Sequence, residues 1–231
     1  IKNILDNKFL KYFFQSKYGQ EELHIRSSGT TVTGIKSSEL KKISLFCPCY
    51  KEQKNIAAVL GSLDDKIDLL QRQNATLEAM AETLFRQWFI EEAQEGWEEK
   101  TIGDVVEIRG GGTPSTKEPS YWNGNIFWTS PRDLAGLKSI FLSSTERKIT
   151  PQGLSKISSG LLPAGTLLLS SRAPIGYLAI SDIDVAINQG YIAILNNDII
   201  SNYYMYLWCK YYMEEIKAAG NGSVFQEISK S

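Results

Sequence analysis

The chain has 231 residues, 42% hydrophobic and 22% charged, with a formal net charge of −1 at pH 7. That balance suits one globular domain plus an extension; it excludes a disordered chain and a polycation that grips nucleic acid by bulk attraction alone. Cys47, Cys49 and Cys209 form neither a disulfide framework nor a CxxC pair, and the single His24 removes most zinc and triad schemes. No apolar run approaches the ~18 residues of a membrane span, so the expected location is cytoplasmic, away from membranes.

Residues up to Tyr18 are rich in aromatics and lysine (Phe9, Leu10, Tyr12, Phe13, Phe14) and predict a short amphipathic helix. The polar segment Ser27-Ser28-Gly29-Thr30-Thr31 predicts a loop. Residues 43–46 predict a short strand that Pro48 ends.

A different pattern follows. Ile56, Leu60, Leu63, Ile67, Leu70, Asn74, Leu77, Ala81, Leu84 and Trp88 fall on an unbroken four-three spacing, and nine of the ten are apolar. A seam sustained for more than four heptads predicts one long helix that packs on a similar partner rather than onto a compact core. Over 51–90 it would be roughly 60 Å long at ~1.5 Å per residue, so it would set a distance. Asn74 falls at an a position, where a polar residue weakens the seam but rejects wrong registers. Full antiparallel overlap would set Ile67 against Leu77 and Leu70 against Asn74; the spacing permits that pairing without requiring it. Residues 51–92 carry five basic and eight acidic side chains, against eight and four in residues 1–50. The helix should therefore meet protein rather than phosphate.

The polar stretch 91–96 should close the helix, and Trp97 opens a region of short β-rich runs at 105–108, 126–128, 166–169, 177–180 and 191–195, separated by Gly, Pro and Ser. A mixed, curved sheet is expected there. An aromatic helix over 203–216 and a loop at Ala219-Gly220-Asn221-Gly222-Ser223 follow. The predicted fold class is α+β, a mixed β-rich domain attached to a long coiled-coil helix.

The two ends resemble each other. Asn7, Phe9, Leu10 and Phe13 align with Asn202, Tyr204, Met205 and Trp208, while Gly29, Thr30 and Ile35 align with Gly222, Ser223 and Ile228. A long-period repeat is expected, of which the chain holds one full period, and the sequence is expected to be a window of a longer protein.

Catalytic patterns are weak. Gly110-Gly111-Gly112-Thr113-Pro114 is glycine-rich but has no GxxxxGK sequence and no strand-GxGxxG-helix context. His24 lies in a different segment from every candidate nucleophile, and Asp64-Asp65 and Asp182/Asp184 read as solvated surface. Groups suited to base edges are better represented. Ser170-Ser171-Arg172-Ala173-Pro174-Ile175-Gly176 sets two hydroxyls and a guanidinium at a strand exit, and Asn188-Gln189-Gly190 precedes an apolar strand. Arginine can fork onto guanine O6 and N7, and Asn or Gln onto adenine N6 and N7. The plainer alternatives are an arginine anchoring a turn and amides satisfying a sheet corner. Thr113, Ser115 and Lys117 carry donors that suit either phosphate or solvent. Trp97, Tyr121, Trp122, Phe127 and Trp128 could stack on bases but are assigned to packing.

The run Glu52-Gln53, Ile56, Leu60, Leu63-Asp64, Ile67, Leu77-Glu78, Leu84-Phe85 and Trp88-Phe89 resembles the central conserved region of type I restriction-modification specificity (S) subunits. Downstream, Gly96-Trp97, Gly112-Thr113-Pro114-Ser115, Tyr121-Trp122, Gly124, Trp128, Asp133-Leu134, Ile149-Thr150, Gly153, Leu162-Pro163, Gly165-Thr166, Ser170 to Gly176 and Asn188-Gln189-Gly190 are similar, in order and spacing, to a target recognition domain of that family. The resemblance extends over nearly the whole chain. It implies a non-catalytic subunit in which two recognition domains each read half of a split target in double-stranded DNA. Paired antiparallel helices would hold them apart and dock methyltransferase (M) subunits.

On that resemblance, residues 1–46 are the tail of an upstream recognition domain, 47–92 the conserved helical spacer and docking region, and 93–231 a recognition domain. Ser170, Ser171, Arg172, Asn188 and Gln189 are expected to touch base edges, and Thr113, Ser115 and Lys117 the DNA backbone. No cofactor or metal is expected on this chain. S-adenosylmethionine would belong to the M subunit, and ATP with Mg to a restriction (R) subunit joined through it. The absence of an NPPY-like motif fits that division. A mate for the helix is expected from the rest of a longer protein, the favoured source, or from a homodimer. Nine basic and ten acidic residues between 93 and 196 imply weak DNA binding by the domain alone, with M subunits supplying much of the grip. The rival readings are a coiled-coil adaptor whose β-rich head binds another protein, and a free-standing enzyme, which the missing nucleophile, metal and nucleotide motifs disfavour.

Overall fold

The computed structural model describes residues 4–27, 34–98, 100–172, 174–197 and 199–220. It divides into two compact units, the first ending at Gln73 and the second beginning at Asn74. Of the expected end-to-end match and its loops, Ser28, Gly29, Thr30, Thr31, Asn221, Gly222, Ser223 and Ile228 lie outside the described residues, as does Ala173 of the arginine-bearing turn.

In the first unit α1 (Asn7–Gln15) and α2 (Lys17–Ile25) each begin on a side-chain cap. Asp6 accepts from the Phe9 N–H at 2.9 Å, and Ser16 from the Gly19 N–H at 3.1 Å, satisfying donors that a helix start leaves open. The predicted amphipathic helix is therefore present, with a second helix after it that the residue pattern did not announce. A short turn, α3 (Ser37–Leu40), precedes α4 (Tyr50–Arg86), whose 37 residues fulfil the expectation of one long helix. Residues 43–46 form no strand and have no ladder partner among the described residues, and Phe46 is 91% exposed. Gln53 does the joining instead. Fully buried, its amide accepts from the Asp6 N–H at 2.8 Å and donates to the carbonyls of Ile4 at 2.9 Å and Pro48 at 2.8 Å. About three turns further along α4, Lys11 Nζ and Tyr12 Oη both donate to Asp64 Oδ2, at 2.8 and 2.9 Å, and these partners hold the Asp64 carboxyl below its usual range.

The second unit starts on the last turns of α4, which pass into a π-helical turn over Gln87–Glu91. A helical turn, α5 (Ile102–Val105), leads into the sheets; its Thr101–Asp104 capping box moves the expected strand start to Glu107. A five-stranded sheet has the order β1 (Glu107–Gly110), β8 (Tyr191–Leu195), β5 (Leu167–Ser170), β6 (Leu178–Ser181), β3 (Phe141–Leu142). All its pairs are antiparallel except β3 with β6. A separate three-stranded sheet has the order β4 (Arg147–Ile149), β2 (Trp122–Thr129), β7 (Ala186–Ile187), with β7 parallel to β2. Two short helices, α6 (Pro131–Leu134) and α7 (Pro151–Leu154), cover this region. The chain then forms α8 (Asn202–Tyr211) and α9 (Met213–Ala218), so the single aromatic helix expected over 203–216 breaks at Tyr212.

Strand alternation sorts the core. Leu167, Ile180, Ile192 and Ile194 pack with Met205 and Cys209 of α8, whereas their neighbours Leu168, Ala179 and Ala193 point to the other face with Leu134, Leu142 and Tyr191. Burial lifts the Cys209 thiol to about 12, so it behaves as a small apolar side chain. The third cluster joins Trp122, Trp128, Ile149 and Ile157 over the smaller sheet.

Helix α4 buries a stripe beside its heptad seam. In the first unit Gln53 and Ala57 are covered; in the second, Phe85 is covered and meets Tyr204 of α8 with ring centroids 5.2 Å apart, while Lys210 Nζ lies 2.6 Å from Glu82 Oε1. The seam itself is left open. Ile56, Leu63, Ile67, Leu70, Asn74, Leu77, Leu84 and Trp88 are exposed, and Leu60 and Ala81 half-buried.

Candidate nucleic-acid interface

Three loops and one short helix converge where β5, β7 and β2 end. The first loop runs from Ser170 to Gly176. Ser170 Oγ donates to the Pro174 carbonyl and accepts from the Tyr177 N–H, both at 2.8 Å, and Gly176 closes the turn at φ +103°, a conformation that side-chain-bearing residues rarely adopt. Ser170 and Ser171 are fully buried. The expectation that they face bases is corrected here: the first spends its hydroxyl inside the turn, and Ser171 Oγ has no partner among the described residues. Arg172 is exposed.

The second loop is Asn188-Gln189-Gly190. The Asn188 N–H donates to the Thr129 carbonyl at 3.0 Å, and its side-chain Oδ1 accepts from the Gly190 N–H at 2.8 Å, an Asx turn that spends the amide oxygen locally. Gly190 in turn accepts from the Ser171 N–H at 2.8 Å, tying the first two loops together. Gln189 points outward.

The third loop carries Thr113, Ser115 and Lys117, all exposed. Gly111 lets it pass close to the second loop, since a Cβ there would stand 2.2 Å from the Ile187 carbonyl oxygen. The Gly112 N–H donates to that carbonyl at 2.9 Å, and Thr113 Oγ1 donates to Gln189 Oε1 at 2.6 Å. Tryptophans assigned to packing do pack, but their indole N–H groups also pin this loop: Trp128 Nε1 donates to Gly112 O and Trp122 Nε1 to Ser115 O, each at 3.1 Å. The Arg147 guanidinium stacks 3.5 Å above the centroid of the Trp122 ring. Trp97, by contrast, is half exposed beside Phe89.

Helix α6 was missed as a contributor. Ser130 and Asp133 form a capping box with Pro131 at the first helical position, which leaves Arg132 projecting. Asp133 Oδ2 accepts from the Ser130 N–H at 2.8 Å and from Thr129 Oγ1 at 3.3 Å, and its Oδ1 accepts from the Glu146 N–H at 2.8 Å. Thr129 Oγ1 also lies 3.1 Å from Tyr191 Oη, whose phenol burial holds well above its usual range. A serine, a proline and an aspartate spaced as S-P-x-D were the signal available in the sequence.

Together these pieces line an open groove of about 420 Å³ bordered by Arg132, Arg172, Pro174, Tyr177, Asn188 and Gln189. The structure thus brings Arg172, Asn188 and Gln189 to one place from segments separated in sequence. Thr113 joins them through Gln189; Ser115 and Lys117 extend along the third loop, outside the groove lining. Two guanidiniums and an exposed amide in one concavity, on loops cross-braced to the sheets, form a donor-rich edge suited to nucleobases or phosphate. Among the described residues no group of three or more His, Cys, Asp or Glu side chains is arranged to hold a metal ion, and no helix is long and apolar enough to cross a membrane.

Comparison with known proteins gives the class to which this fold belongs. The model of the type I restriction modification DNA specificity domain matches residues 1–79 and 94–231, and the chain belongs to that family. Among individual relatives, the MjaIX specificity subunit of Methanocaldococcus jannaschii is 41% identical over 152 residues, covering 65% of this chain and 35% of that protein. The EcoR124I/EcoR124II specificity subunit of Escherichia coli is 28% identical over 185 residues, 74% of this chain and 44% of that one. The chain spans about half the length of the relatives it matches. The solved S subunit of a type I restriction-modification system from M. genitalium shares the fold, with a TM-score of 0.53 at 20% identity, over 100% of this chain and 63% of that chain.

Proposed function

We propose that this chain is the sequence-reading and spacing part of a type I specificity subunit, in which residues 93–231 read one half of a split DNA target. The observation that carries the reading is the groove that gathers Arg132, Arg172, Asn188 and Gln189 on braced loops. Arg172 and Gln189 present side chains to base edges, Asn188 shapes its loop and offers its amide nitrogen, and Thr113, Ser115 and Lys117 meet the DNA backbone. Ser170 and Ser171 hold the turn that carries Arg172.

Residues 47–92 are the spacer. Its exposed Ile, Leu and Trp seam pairs with a second such helix, from the rest of a longer protein or from another copy, and docks methyltransferase subunits. Residues 1–46 complete an upstream recognition domain. The chain carries out no chemistry; S-adenosylmethionine is bound by the methyltransferase, and ATP with Mg by a restriction subunit attached through it, all in the cytoplasm.

The test is selection of bound duplexes from a randomised pool by the full-length protein assembled with its methyltransferase. A split motif is expected, and Arg172→Ala should relax one of its positions at a cost of ~1–3 kcal/mol in discrimination. An assembly that retains DNA without sequence preference would refute the reading and favour the protein-binding adaptor.

A further inference from the structure

We propose that Arg132 is a second specificity-determining arginine, forking onto a guanine on the half-site that Arg172 also reads. The inference rests on the DNA-reading function proposed above and names a residue and a base class within it.

Three observations carry it. Arg132 shares the groove with Arg172, Asn188 and Gln189, so its guanidinium reaches the same ligand surface. Its ion pair is weak: Glu146 Oε2 is 3.8 Å from Arg132 Nε, with the two side chains 83% and 64% exposed, a spacing and exposure that leave the outer edge of the fork open to a stronger acceptor. Its platform is rigid. Asp133 binds the start of α6 and the Glu146 backbone, Thr129 connects that carboxylate to the buried Tyr191, and the Pro131 ring abuts Gly190. A long side chain on a fixed helical turn loses less freedom on docking than one on a mobile loop, and the planar fork matches O6 and N7 of guanine in the major groove. Lysine at this position would keep the charge and lose the fork.

The experiment is the same duplex selection, with the full-length protein in its methyltransferase assembly, applied to wild type, Arg132→Ala and Arg132→Lys. Both variants should flatten a single guanine position, losing discrimination there on the order of ten- to a hundredfold, while the remaining positions keep their preference. Arg132→Lys should hold overall affinity nearer wild type than Arg132→Ala. Thermal melting of each variant checks that an exposed side chain was changed without unfolding the domain. A motif identical in all three proteins overturns the proposal. So does uniform weakening across all sequences with a smaller salt dependence, the mark of a phosphate contact. If wild type itself selects no motif, the DNA-reading function fails and takes this inference with it; an intact wild-type motif separates the two failures.

Discussion

Gly190 and Pro131 are in close packing: a Cβ at Gly190 would stand 3.2 Å from Pro131 Cγ and 3.1 Å from Asn188 Oδ1. This contact brings the amide loop against the arginine-bearing helix, and the Gly190 carbonyl holds the Ser171 N–H. One glycine therefore sets the distance between three parts of the groove.

Gly190→Ala should disturb all three. Neither neighbour yields cheaply, because Pro131 is a ring and Asn188 Oδ1 is already bonded to the Gly190 N–H. Overpacking of this kind costs about 1–3 kcal/mol. Urea unfolding should show a loss in that range, and duplex selection a blurred motif; an unaltered motif would mean the loops are positioned independently.

Ser170→Ala and Ser171→Ala should act in opposite directions although the residues are adjacent and equally buried. Ser170 Oγ serves two backbone groups, so its removal strands a donor and an acceptor and should cost about 1–3 kcal/mol. Ser171 Oγ serves none among the described residues, and alanine there should be neutral or stabilising by up to about 1 kcal/mol. Paired denaturation curves decide between them.

Gln53→Leu keeps the bulk and removes the hydrogen bonds. With the Asp6 N–H and the Ile4 and Pro48 carbonyls left without their buried partner, about 2–4 kcal/mol should be lost from the first unit. Hydrogen exchange at Asp6 and in the first turn of α4 should rise first; unchanged protection there would show that the amide merely fills space.

Asn74→Leu addresses the seam. An apolar residue at this a position should tighten helix association and loosen its register. Sedimentation and cysteine cross-linking along α4 would report tighter association with more than one register. An oligomer of unchanged stability would place the seam against something other than a matching helix.

Residues read by rhythm were placed well. The four-three spacing from Ile56 to Leu84 lies on the one helix α4, with Trp88 in the π-helical turn that continues it, and the β-rich runs at 126–128, 166–169, 177–180 and 191–195 fall in or across strands β2, β5, β6 and β8. Runs too short to show a period were not. Strands β3, β4 and β7 have two or three residues each, and they exist because neighbouring strands supply hydrogen bonds; residues 43–46, with no strand partner among the described residues, stay irregular. Phe85 and Phe89 lay beside the seam in the sequence, yet they form the face that α8 meets.

What the sequence determined by itself is local: helix and strand periods, an unsatisfied apolar seam, donor-rich loops at strand exits, and a string of motif words whose order marks the family. Only the tertiary structure decided which of those loops meet. It buried Ser170 and Ser171, spent the Asn188 oxygen on its own turn, tied Thr113 to Gln189, and carried Arg132 to the groove on a capped turn. The physical reason is that a side chain's propensity is written within a few residues of it, whereas its exposure and hydrogen-bond partners depend on segments dozens of residues away, brought close by strand pairing.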